Sequence, residues 1–126
     1  SWVPARTDVN LERLGLSEPA NCVFCEIVAG RSPARVLYLD EDIIVIFNKL
    51  TWVPVMLLVM PKQHLSQLEM WSSGLMARLC SVAVDMGCVY APNGFRTLSN
   101  FGYDGMQSQS HGHLHVIGGA HLGPYA

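Results

Sequence analysis

Ile43-Ile44-Val45-Ile46-Phe47 is an unbroken apolar run between Asp42 and Asn48, and no other stretch constrains the fold as tightly. A strand with one wet face alternates apolar and polar residues, so a run that is apolar at both parities needs cover on both faces. The chain must therefore place layers on each side of a sheet. Val55-Met56-Leu57-Leu58-Val59-Met60 repeats the pattern until Pro61 stops it. Arg35 to Asp40, Phe95 to Asn100 and His111 to Gly118 read as three further strands, which makes five. Between them the spacing predicts a helix from about Gly74 to Tyr90, capped by Ser72 or Ser73, with Leu75, Leu79, Val82, Met86 and Val89 on one side. Met76, Cys80 and Ala83 widen that stripe beyond what one sheet face needs, which suits a helix packed on two sides, as in a dimer. Strands in adjacent runs with one long helix inserted give an α+β fold with an antiparallel sheet.

Composition narrows the partners. The 126 residues suffice for one ordinary core; half are hydrophobic and 14% charged, apolar enough to suggest surface covered by a partner subunit. A net charge of −2 without a basic run argues against nucleic acid as a partner. The sequence has neither an apolar run of membrane-spanning length nor a signal peptide, and the expectation is a soluble, cytoplasmic protein with no membrane partner. Thr7-Asp8-Val9-Asn10 before Leu11, Leu14 and Leu16 predicts a short capped helix within an N-terminal extension, residues 1–21, ahead of a single domain, residues 22–126.

Three of the five histidines, His111, His113 and His115, stand at alternate positions. On a strand they would share one face, with Leu114 and Val116 turned into the core. Imidazole serves as nucleophile, proton carrier or metal ligand near neutral pH. A metal-binding His tract or a merely polar strand face is the plainer reading, but such tracts are seldom phased this regularly and closed by Gly118-Gly119. Cys22 and Cys25 form a C-x-x-C pair, a spacing that suits tetrahedral zinc, and His64 and His111 are the economical choices for the remaining ligands. The competing readings are a redox pair, which lacks the usual βαβ setting, and a solvated His64 in a helical first turn. Cys80 and Cys88, inside the helical pattern, are expected to pack. The loop Asn100 to Ser108 brings glycines, amides and hydroxyls beside the histidines, and Gln107 and Ser108 can donate to phosphoryl oxygens.

Together these blocks resemble the histidine-triad (HIT) superfamily, in particular its Hint-like branch. His111-Gly112-His113-Leu114-His115-Val116-Ile117 fits His-φ-His-φ-His-φ-φ (φ apolar), with glycine in the first φ slot, and the similarity runs from about residue 22 to 119 through Cys22-Val23-Phe24-Cys25, Leu57 to His64 and Asn100 to Ser108. The resemblance implies a HIT-like fold: a five-stranded antiparallel sheet with one long and one or two short helices, paired across a homodimer. It implies structural Zn2+ on Cys22, Cys25, His64 and His111. It implies His113 as a nucleophile that attacks the α-phosphorus of a nucleotide-like phosphoramidate or phosphoanhydride through a phosphohistidine intermediate. His115 and Asn100 would then contact phosphate and ribose, and Gln107 and Ser108 the transferred phosphorus and the leaving group. The partner so implied is a small phosphate-containing molecule, a nucleotide in the family's usual pattern.

Three positions depart from the family pattern, all on the substrate side. Met56 replaces a histidine ahead of the Leu-Val-Met-Pro block, and Met106 replaces the glycine before Gln107-Ser108. After Phe47-Asn48, Lys49 stands where a carboxylate accepts from both ribose hydroxyls. A cation that only donates cannot make that contact. Two further readings stay open: acid–base chemistry by His113 and His115 on a non-nucleotide substrate, and a zinc-stabilised binding module without catalysis.

Overall fold

The computed structural model describes residues 21–48 and 52–124. Lys49 and the helix expected near Leu11 lie outside them. The element order is α1 (Val23–Val28), β1 (Val36–Leu39), β2 (Ile43–Phe47), β3 (Val55–Pro61), α2 (Gln67–Ser72), α3 (Met76–Tyr90), β4 (Phe95–Leu98) and β5 (Leu114–Gly118). The strands make one antiparallel sheet in the order β1-β2-β3-β5-β4. The two continuously apolar runs, β2 and β3, pair side by side near its centre, as their composition requires. Among the described residues no helix is long and apolar enough to cross a membrane.

Alternation sends the side chains of each central strand to two different cores. Ile43, Val45, Leu57, Val59, Leu114 and Val116 pack beneath α2 and α3 against Met70, Leu79 and Ala83. On the other face Ile44, Ile46, Leu58 and Met60 meet Cys22 and Phe24 of the α1 region. Leu58 and Leu98 flank His115 in register, so His115 belongs to this second face.

Three local expectations change. The strand carrying the histidines begins at Leu114, so His111 and His113 precede it and only His115 lies within it. The reason is competition for backbone groups: Gly112 N–H donates to the Leu65 carbonyl at 2.6 Å and His113 N–H to Gln67 Oε1 at 3.0 Å, away from any neighbouring strand. The segment after Pro61 forms a helix of its own, α2, closed by a capping box in which Ser66 Oγ accepts from Glu69 N–H and Glu69 accepts from Ser66 N–H. Ser73 ends that helix, and α3 starts at Met76 with Leu75 as its N-cap, without a side-chain cap. On α3 the fully buried line is Leu79, Ala83 and Gly87, spaced by four residues, because the aromatic ring of Phe95 lies against Gly87. Val89 is exposed, and Cys80 and Cys88 face solvent rather than packing.

Candidate active site and metal centre

The metal candidates converge from three parts of the chain. Cys22 is the N-cap of α1, and its sulfur accepts from Cys25 N–H at 3.4 Å, which folds the C-x-x-C pair into a knuckle. His64 follows the turn after β3, and His111 precedes β5. Cys25 Sγ lies 3.2 Å from His64 Nδ1, and both sulfurs lie 3.5 Å from His111 Nδ1. One donor atom from each of the four falls within 4.8 Å of every other. His111 is fully buried, and its Nε2–H donates to the Pro61 carbonyl at 2.6 Å, so the lone pair on Nδ1 points into the cluster. Burial and the neighbouring Cys22 side chain push the Cys25 thiol up to about 11. Two soft thiols and two imidazoles held neutral by burial are a donor set that fits a tetrahedral metal.

His113 stands one step beyond this cluster. Its Nδ1–H donates to the His111 carbonyl at 2.7 Å, which fixes the tautomer and leaves the Nε2 lone pair free. The ring is 3% exposed and packs edge-on to Phe24, with centroids 5.5 Å apart, and to His115 at 5.0 Å. Burial holds His113 below the ordinary imidazole range, and burial beside His113 brings His115 down to about 4, so both rings are neutral near pH 7.

One residue that sequence reasoning missed holds this arrangement. Gln67, 1% exposed in the first turn of α2, accepts from His113 N–H at 3.0 Å and donates from Nε2 to the His113 and Asn100 carbonyls at 3.2 Å. Ser99 Oγ donates to the same His113 carbonyl at 2.6 Å. A glutamine in an amphipathic first turn carries no sequence signal for such a role; only its burial against a broken strand exposes it. Gly112 also acquires a reason. A Cβ there would stand 2.9 Å from Met70 Cβ and 3.0 Å from the Ser66 carbonyl oxygen, so α2 lies directly on the backbone between the two histidines.

Two cavities flank His113 and His115. The first, about 290 Å³, is bounded by Phe24, Ile27, Ala34, Ile46 and Phe47. The second, about 440 Å³, is bounded by Trp52, Met56, Leu98, Met106 and Ile117, with Asn100 at its edge. Asn48, Ser108 and the two histidines line both. Gln107 lines neither: its Oε1 accepts from Gly102 N–H at 2.8 Å and its Nε2 donates to the Gln109 carbonyl at 2.9 Å, which braces the loop. Asn100 Nδ2 likewise donates to the Gly105 carbonyl at 2.7 Å. Met106 takes a left-handed backbone, φ +62°, as the glycine it replaces could without strain.

The family model for the HIT domain matches residues 29–122, three quarters of the chain. The chain belongs to the HIT domain family. An uncharacterised HIT-like protein of Chlamydia muridarum is 34% identical over 111 residues, covering 82% of this chain and 86% of its own. Among solved structures, a HIT family hydrolase from Legionella pneumophila superposes with a TM-score of 0.76 at 30% identity, covering 82% of this HIT protein and 96% of that chain. A zinc-bound histidine triad family protein from Mycobacterium smegmatis gives 0.71 at 29% identity, with 80% and 76% covered. The fold of this HIT protein, with its five-stranded antiparallel sheet, is thus shared across bacterial relatives.

Proposed function

We propose that the protein is a hydrolase or transferase that cleaves phosphoramidate or phosphoanhydride bonds of a nucleotide through a nucleophilic His113. The observation that carries this reading is the hydrogen bond from His113 Nδ1–H to the His111 carbonyl, which presents a neutral ring with Nε2 free where two cavities meet. Nε2 forms a bond to the α-phosphorus, and the bond to the leaving group breaks with its electron pair. The departing atom takes a proton from solvent. Water, or another acceptor, then attacks the phosphohistidine, loses a proton and frees His113. His115 donates an N–H to a phosphoryl oxygen, and the Ser108 hydroxyl sits beside the departing atom. The membership of the family and a structurally similar HIT family hydrolase support the hydrolase class.

The first cavity suits the nucleoside, since Phe24, Ile27 and Phe47 offer apolar walls to a planar base. Cys22, Cys25, His64 and His111 would hold one Zn2+, as the zinc-bound relative and the donor set suggest. Such an ion would act structurally, anchoring the segment that carries His113. The subunits would pair through the open edge of β4 and the outer side of α3, where Val84 and Val89 are exposed.

Incubation with adenosine phosphoramidate and adenylyl-lysine tests the reading. The expected result is AMP release with an acid-labile adduct at residue 113, both lost in His113→Ala. Turnover that persists in that variant, or binding without turnover, would overturn it.

A further inference from the structure

The second cavity differs from the first in chemistry. Trp52 and Met106 stand at its mouth, 67% and 81% exposed, while Met56, Leu98 and Ile117 form its floor. No Asp, Glu, Lys or Arg lines it among the described residues. Asn48 Nδ2 donates to Met56 Sδ at 2.9 Å, so the one amide on the ridge between the cavities is turned toward the thioether. Met106 holds its exposed side chain there from a left-handed backbone, a conformation that core burial of the side chain does not offset. Large apolar groups kept in water at a cleft rim gain when something apolar covers them.

We propose that this second cavity is a leaving-group subsite selective for alkyl or aryl amines and alcohols over charged ones. The proposal rests on the reading of His113 as nucleophile toward phosphorus. With phosphorus at His113 and the nucleoside in the first cavity, the bond that breaks points into the second, because the two cavities share only Asn48, Ser108, His113 and His115. As Nε2 bonds to phosphorus, the P–N or P–O bond cleaves with its pair, and the leaving atom takes a proton from solvent. An ammonium-bearing leaving group would shed its hydration among Trp52, Met56 and Ile117 without a carboxylate to meet it. An alkyl chain loses nothing by the same transfer.

The experiment compares AMP phosphoramidates of hexylamine and of pentane-1,5-diamine, matched in length but ending in methyl or ammonium, on the full chain. The hexyl substrate is expected to show kcat/KM higher by on the order of 10-fold. Trp52→Ala and Met106→Gly should each bring that ratio toward one. A wild-type ratio at or below one, or a ratio neither substitution moves, overturns the proposal. A binding arm separates this from failure of the nucleophile reading. In His113→Ala protein, the hexyl compound should shift the methyl resonances of Met56, Met106 and Ile117. Shifts confined to Ile27 and Ile46 of the first cavity, or none, overturn the subsite even if no substrate turns over. If the methyls of the second cavity respond while wild-type protein turns over neither substrate, the nucleophile reading fails and with it the leaving-group role, and only the cavity's affinity for alkyl groups stands.

Discussion

The side chain of Gln67 grips both backbone groups of His113, its Oε1 accepting from the N–H at 3.0 Å and its Nε2 donating to the carbonyl at 3.2 Å. Replacing it with leucine leaves a buried donor without its partner, at a cost of about 1–3 kcal/mol for the group. The ring then loses its fixed place, and turnover should fall by on the order of 100-fold. Gln67→Glu keeps the acceptor but not the donor, so it should recover part of kcat. Thermal unfolding and steady-state kinetics on both variants check this; equal kcat in all three proteins would exclude a positioning role.

Gly112→Ala forces a methyl against Met70 Cβ and the Ser66 carbonyl. Overpacking of this kind costs about 1–3 kcal/mol. Pairing it with Met70→Gly relieves the side-chain clash but not the one with backbone, so the double variant should regain little activity. Urea titration and turnover of the single and double variants measure the two effects.

Metal removal should loosen the histidine segment as a whole. Chelator-treated protein is expected to lose one zinc per chain by elemental analysis and about 3 kcal/mol of stability, on the order of 10 °C in Tm. His64→Ala should resemble it without chelator. If the two melt alike with and without zinc, the cluster of Cys22, Cys25, His64 and His111 has no structural metal.

Acid should weaken the β1–β2 turn only below about pH 4. Asp40 accepts from the Tyr38 hydroxyl at 2.7 Å, from Asp42 and Ile43 N–H at 2.8 Å, and from Arg78 Nη2 at 2.8 Å. With the Tyr38 bond foremost, these contacts bring its carboxyl from 3.8 to about 2. A carboxyl held lower in the folded chain stabilises fully above its ordinary value, and that contribution fades as pH falls toward 2. Unfolding curves from pH 6 to pH 2 should therefore drop more steeply in wild type than in Asp40→Asn. Parallel curves would assign the acid response to other groups.

Much of this was readable from the order of residues. The doubly apolar runs at Ile43–Phe47 and Val55–Met60 required central strands with layers on both sides, and that is where they lie. Cys22, Cys25, His64 and His111 were paired by chemistry before geometry brought them within reach. What escaped depends on partners remote in sequence. Periodicity placed His111 and His113 on a strand, because alternation cannot reveal that Leu65 and Gln67 take up their backbone groups. Val89 looked like core because a helical stripe records spacing, not where the sheet below it ends. The second cavity has walls from Trp52, Met56, Leu98, Met106 and Ile117, five positions that no local pattern links.

The pairing of Leu58 with His115 has an evolutionary side. Leu114 and Val116 are fully buried on the opposite face of β5, between strands that allow no offset without turning them outward. A slip of one residue would drive the His115 imidazole under α3 and turn Leu114 toward the two cavities. Changes at Leu114 and Val116, which line neither cavity, would thus misplace His115 without altering it. Drift in this protein should be freest at the mouth of the second cavity, where Trp52 and Met106 stand, since changes there leave the strand that carries His115 undisturbed.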